Sequence, residues 1–223
     1  MKLYRIISAP VVGLDFEQMF DYPVGMTPPA ALVETALAGT PGRYAVSGPG
    51  DLPGRFLTTL CPALLRGAGV LWLDAGNSFN AYGAGYATRF LGADSRAALA
   101  RVQLARPFNL YQLETMVKVK VPERWRGEPV VISDPMPLFY DADVPAAAAR
   151  RVLARVLEGM ALLPAAWIVL TVDRTAPEGR EGWEDEFSRH AKGVMRFYGT
   201  NFADDRADLA GGAGSLEAVQ TRA

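Results

Sequence analysis

Five short stretches of the chain are apolar with little interruption: residues 43–47, 70–74, 101–105, 129–134 and 167–172. Runs of this length, rich in Val, Ile and Leu, read as strands buried on both faces, the habit of a parallel sheet. A sixth strand is expected at 193–198. The clearest helix is 146–161, where Val152, Val156 and Met160 recur every four residues beside Leu153 and Leu157, while Arg150, Arg151, Arg155 and Glu158 fill the remaining positions. A shorter helix is expected at 183–190. Strands alternating with helices at this spacing predict an α/β fold: a doubly wound, mostly parallel sheet with helices on both faces.

The pattern fills residues 30–199, which form one domain. Residues 1–29, with Phe16, Phe20 and Tyr22 among prolines, read as a packed lead-in. Residues 200–223 hold Gly211, Gly212 and Gly214 and few large apolar side chains, the composition of a flexible tail. The chain of 223 residues carries 23 basic and 24 acidic side chains, so it lacks the basic excess typical of duplex-binding proteins. Cys61 is the one cysteine, which rules out an internal disulfide or a cysteine-built zinc site and suits a reducing, cytoplasmic setting. The longest apolar run, 160–172, is divided by Pro164 and falls short of the roughly 20 residues a membrane span needs.

Candidate chemistry begins after the first core strand. Gly48-Pro49-Gly50-Asp51-Leu52-Pro53-Gly54-Arg55-Phe56 links a strand to a helix, the place where backbone N–H groups and a helix N-terminus converge on phosphate. A competent phosphate loop has two glycines with four residues between them, then Lys, then Ser or Thr. Here five residues separate Gly48 from Gly54, Arg55 stands in the lysine position and Phe56 replaces the magnesium-binding hydroxyl. Pro53 removes one N–H, and Asp51 adds a negative charge beside any triphosphate.

Further landmarks carry a resemblance. Val70-Leu71-Trp72-Leu73-Asp74 with its following turn, Val102-Gln103-Leu104-Ala105 with a helix containing Gln112, Val130-Val131-Ile132-Ser133-Asp134, and Ile168-Val169-Leu170-Thr171-Val172-Asp173 follow one another as core strands do in the RecA, RadA and KaiC superfamily. The chain resembles that superfamily from about residue 29 to 198. The resemblance implies a RecA-like fold in which Asp134 matches the Walker B aspartate and Gly48, Gly50, Gly54, Arg55 and Asp134 mark a vestigial nucleotide site. It also implies that the water-positioning glutamate belongs two residues after Asp74, where this chain has Gly76, and that Asp173 stands where a neutral amide is usual. With lysine, metal ligand and carboxylate all missing, hydrolysis is not expected.

Asp141 and Asp143, with Asp134, read as solvated loop carboxylates rather than a metal cluster, and Cys61 as a structural residue rather than a nucleophile paired with His190, the one histidine. Arg174 and Arg180 fall in a stretch dominated by Glu178, Glu181, Glu184, Asp185 and Glu186, which reads as a solvated acidic loop. Lys118, Lys120, Arg124 and Arg126, with Trp125, form the candidate nucleic-acid group, in which Val117, Val119 and Val121 alternate with lysines as in a half-wet strand. By analogy with inactive superfamily members of the SulA and ImuA types, the expected function is that of a non-hydrolysing accessory protein. It would need no cofactor and would contact a RecA-like or DNA-repair protein, with DNA binding weak at most and no membrane. The alternative is a nucleotide-binding ATPase with an atypical loop, using ATP and Mg2+.

Overall fold

The computed structural model describes residues 40–189 and 191–196. The lead-in, the tail, His190 and the end of the sixth strand lie outside them. Six strands form one parallel sheet in the order β3-β2-β4-β5-β1-β6. They are β1 (Gly42–Gly48), β2 (Val70–Asp74), β3 (Val102–Ala105), β4 (Val130–Ser133), β5 (Ala166–Val172) and β6 (Gly193–Arg196). The strand expectations hold to within two residues over the described range, because β2, β4 and most of β5 are buried on both faces, as their unbroken apolar runs require.

The helices are α1 (Leu52–Leu65), α2 (Ala81–Phe90), α3 (Ser95–Leu99), α4 (Leu110–Thr115), α5 (Val121–Arg124), α6 (Met136–Phe139), α7 (Ala146–Leu162) and α8 (Asp185–Ser188). Going from β1 to β2 to β3 the chain moves one way along the sheet, and α1 to α3 cover one face. From β3 onward it moves back, and α4 to α8 cover the other, as right-handed crossovers demand. Alternate residues of each strand therefore feed two cores. Val70, Trp72, Val131, Ile168 and Leu170 pack with Phe56, Leu57, Leu60 and Cys61 on the first face. Leu71, Leu73, Val130, Ile132 and Trp167 pack with Val152, Leu153, Val156 and Phe187 on the second. This is a doubly wound α/β fold. No helix among the described residues is long and apolar enough to cross a membrane.

Two local expectations need correction. Residues 117–121 are helical: α4 runs through a wide π-type turn (Met116–Lys120) into α5. Val117 and Val121, four apart, are buried, while Val119 is exposed, so a four-residue spacing hidden in the alternating pattern decided the conformation. The close approach of α7 reinforces it, because a Cβ on Gly159 would lie 2.7 Å from Lys118 Cγ.

The second correction concerns residues 174–189, which form a clamped segment with only a four-residue helix, α8, in place of the predicted 183–190. Trp183, Phe187 and Arg180 are buried. Arg180 donates to the backbone carbonyls of Phe139 and Val144, and both Arg180 and Arg150 lie 5.6 Å from the Trp183 ring. Tyr140 Oη donates to Glu184 at 2.5 Å, which together with burial raises the phenol well above its ordinary value. Of the acidic side chains that suggested a solvated loop, Glu178, Glu181 and Asp185 face water, whereas Glu184 and Glu186 are partly buried in bonds to Tyr140, Arg150 and Arg189, and the apolar residues between them dock on the second core.

Removing the Arg180 side chain leaves two inward carbonyls without donors. Arg180→Ala is expected to lower stability by about 2–4 kcal/mol and to open residues 174–189 to protease, measured by urea denaturation and limited proteolysis. An unchanged midpoint would contradict the clamp.

Candidate functional site

In an open parallel sheet, ligands bind outside the carboxyl ends of the strands, where connections leave toward opposite faces. Here those points lie between β1 and β5 and between β2 and β4. The segment after β1, the loop after β2, Asp134 and Asp173 all gather at this edge, so the sheet brings Gly48, Gly50, Gly54, Arg55 and Asp134 to one side of the molecule.

The segment after β1 is a tight turn rather than an open cradle. Only Pro49, Gly50 and Asp51 separate β1 from α1, and Leu52 N–H donates back to the Pro49 carbonyl at 2.9 Å. Asp51 is the N-cap of α1, yet its carboxylate makes no capping bond. It pairs with Arg55, whose Nε lies 2.6 Å from Oδ2. An internal carboxylate thus takes the guanidinium that would otherwise be offered to an anion. Phe56 points away from the edge, 1% exposed, and packs against Trp72 with ring centroids 6.4 Å apart.

At the end of β2, Asp74 is buried and fully bonded. Its Oδ1 accepts from Ser78 N–H at 2.8 Å, Phe79 N–H at 3.0 Å and Ser133 Oγ at 3.0 Å, and its Oδ2 accepts from Arg106 Nε at 2.8 Å. Ser133 Oγ in turn accepts from Trp72 Nε1 at 3.1 Å. Asp74 is therefore an organiser of the loop, and the Trp72 ring beneath it meets Phe79 edge-on at 5.4 Å. Asp134 follows β4 with φ of 50°, a left-handed conformation that Asp tolerates better than most residues. Its N–H bonds the Leu170 carbonyl at 2.7 Å, and its carboxylate pairs with Arg174. Asp173 is held by Arg196 at 3.0 Å. Each aspartate at this edge thus has its own arginine: Asp51 with Arg55, Asp74 with Arg106, Asp134 with Arg174, and Asp173 with Arg196.

Gly76, where the resemblance leads one to expect a glutamate, is sterically committed. A Cβ there would sit 2.6 Å from Asp134 Cβ and Oδ2 and 2.8 Å from the Asp134 carbonyl oxygen. Ala75 and Gly76 both donate their N–H to the Ser133 carbonyl at 3.0 Å, which draws the loop after β2 against the end of β4. Phe56 has no oxygen that could ligate a metal, and Asp134 is bonded to Arg174. No group of three or more His, Cys, Asp or Glu side chains among the described residues is arranged to hold a metal ion.

The remaining candidates lie elsewhere. Lys118, Lys120, Arg124 and Arg126 are exposed on the stretch that leads into the start of β4, at the opposite end of the sheet. Lys120 pairs with Glu123 at 3.0 Å, Arg126 bonds the carbonyls of Glu123 and Trp125, and Trp125 is half-buried with its Nε1 on the Glu128 carbonyl at 2.7 Å. Trp125 is thus spent on packing rather than displayed for stacking. Arg180 is buried, Arg174 is exposed but pairs with Asp134, and Asp141 and Asp143 are exposed. Cys61 is buried, bonds the Leu57 carbonyl, and burial pushes its thiol up to about 11, the reverse of an activated nucleophile. Sequence reading missed the arginine partners Arg106 and Arg196, because each pair joins segments far apart in the chain.

Two outcomes test this geometry. Gly76→Ala should lower stability by about 1–3 kcal/mol by forcing the loop off Asp134; an unaffected denaturation midpoint would contradict the close approach. Burial raises Asp134 above the ordinary carboxylate range, with Arg174 and the Val172 N–H opposing. The folded state then holds its proton longer than the unfolded chain does, so stability owed to this group falls as pH rises from about 4 through the raised value. The stability of wild type relative to Asp134→Asn, from denaturation at successive pH values, should decline over that window and then level. A rise with pH would mean that Arg174 outweighs burial.

Comparison with known proteins adds no assignment: no protein-family model matches the chain, and no curated protein matches it.

Proposed function

We propose that this chain is a non-hydrolysing, RecA-like accessory protein that works by contacting a protein partner, in DNA repair or recombination by analogy with inactive members of that superfamily. The observation that carries the reading is the self-pairing of the carboxyl edge. Hydrolysis of a nucleoside triphosphate relies on groups held free to meet the phosphates, the metal and the attacking water. In this chain the guanidinium nearest the α1 N-terminus is turned onto Asp51, the metal-binding position is a core phenylalanine, the water-positioning site has no room for a Cβ, and the Walker B-like Asp134 is bonded to Arg174. The parallel sheet with Asp74, Asp134 and Asp173 at successive strand ends supports the RecA-like part of the reading. Surface contact remains as the means of action, because fold alone fixes no activity.

Since the deficits are several and independent, repairing one restores nothing. Phe56→Thr and Arg55→Lys should each release phosphate from ATP at the rate of a no-enzyme blank. A partner identified by co-purification from the native host and mass spectrometry should be retained equally by wild type and Arg55→Ala. ATPase activity in either repaired variant, or loss of the partner from Arg55→Ala with its fold preserved, would support the ATPase alternative instead.

A further inference from the structure

Four arginines among the described residues are buried wholly or in part, and three of them are satisfied. Arg55 pairs with Asp51, Arg155 meets Glu114 through Nε and Nη2, and Arg180 donates to the carbonyls of Phe139 and Val144. Arg43, the second residue of β1, is the exception. Its Nη1 is shut off from water and has no acceptor. Burial pulls the guanidinium below its ordinary value, as expected where no counter-charge replaces the lost hydration.

The tryptophans show the same contrast. Trp72 Nε1 donates to Ser133 Oγ at 3.1 Å, and Trp125 Nε1 donates to the Glu128 carbonyl at 2.7 Å. Trp167 is 1% exposed, and its Nε1 is buried without an acceptor. The two orphaned donors are neighbours: Arg43 and Trp167 are partners in the parallel register of β1 and β5. Register partners stand side by side on one face, on strands about 4.8 Å apart. That face is the second, since Trp167 belongs to its core while the next pair along, Tyr44 and Ile168, belongs to the first. The charge around them is positive. Lys192 donates its N–H to the Arg43 carbonyl at 2.7 Å and its Nζ to the Pro41 carbonyl. Neither Arg43 nor Lys192 makes an ion pair among the described residues.

We propose that Arg43 Nη1 and Trp167 Nε1, on the second residues of β1 and β5, form a two-donor site for a carboxylate. Both groups only donate, so the ligand has to accept. A carboxylate offers one oxygen to each donor, and its single charge balances the one guanidinium. A phosphate brings a further negative charge near neutral pH, which the uncharged indole leaves uncompensated. Arg43 is only partly buried, and its surface portion is the way in. The site sits at the amino end of the sheet, away from the four aspartate–arginine pairs, so it stands apart from the reading of the carboxyl edge. Its carboxylate belongs either to a small molecule or to an acidic side chain of a protein partner.

Proton–nitrogen correlation spectra of the full chain, at fixed pH and ionic strength, test this through the indole N–H signals of its four tryptophans. The Trp167 signal is assigned by its loss in Trp167→Phe. Replacing chloride with acetate should move that signal downfield and saturate in roughly the millimolar range, as one charge-assisted and one neutral hydrogen bond allow. The signals of Trp72 and Trp125 should stay in place. Arg43→Met should abolish the response without lowering the melting temperature, because it removes an unpaired charge. Arg43→Lys, which keeps the charge but loses the forked N–H groups, should weaken the response about tenfold. The blocked peptide acetyl-Ala-Asp-Ala-amide separates the two sources. The same shift, absent with its Asn counterpart, assigns the site to a protein carboxylate, and a response to acetate alone assigns it to a small one. A Trp167 signal unmoved at every acetate concentration, indole signals that all move together, or a full response in both Arg43 variants would overturn the inference. So would inorganic phosphate displacing acetate at equal concentration.

Discussion

A carboxylate placed at the end of a buried parallel strand loses water, and the loss is tolerable only if a cation or several N–H groups replace it. Asp74 and Asp134 meet that requirement with Arg106 and Arg174, and with the N–H groups of Ser78, Phe79 and Val172. The rest of the edge follows from satisfying these two groups. Asp74 draws in Ser133 and, through it, Trp72. The loop after β2 then lies so close to Asp134 that residue 76 has to be glycine. Arg174, committed to Asp134, starts the 173–189 segment inward, and Arg180, Trp183 and Phe187 continue it down onto the second core.

This organisation gives the proposed function its physical content. A site that hydrolyses a triphosphate needs donors and charges preorganised to meet the developing charge. The present chain pairs them internally. Its edge offers a triphosphate four guanidiniums that already have carboxylate partners.

What the sequence made legible is what packing dictates locally. Unbroken apolar runs announced β2, β4 and β5, and the four-residue recurrence of Val152, Val156 and Met160 announced α7, because strands and helices with a single buried pattern have few alternatives. Residues 117–121 satisfied two patterns at once; burial of Val117 and Val121, four apart, decided for the helical one, and the approach of Gly159 on α7 reinforced it. The defects at Arg55, Phe56 and Gly76 were readable as missing chemistry. Their structural reasons were not: that Arg55 is turned onto Asp51, that Phe56 serves the Trp72 core, and that Asp134 fills the space beside Gly76 are facts of tertiary contact. Arg106 meets Asp74 and Arg196 meets Asp173 across the ends of nearby strands, contacts that leave no periodic trace.

Equilibrium dialysis of the intact chain against radiolabelled ATP with magnesium tests the central claim most directly. If the aspartates hold their arginines as described, retention of nucleotide will not exceed that of a protein-free control up to millimolar concentration. Stoichiometric binding at micromolar concentration, lost in Arg55→Ala, would show that phosphate displaces Asp51 from Arg55 and that the carboxyl edge is a working nucleotide site.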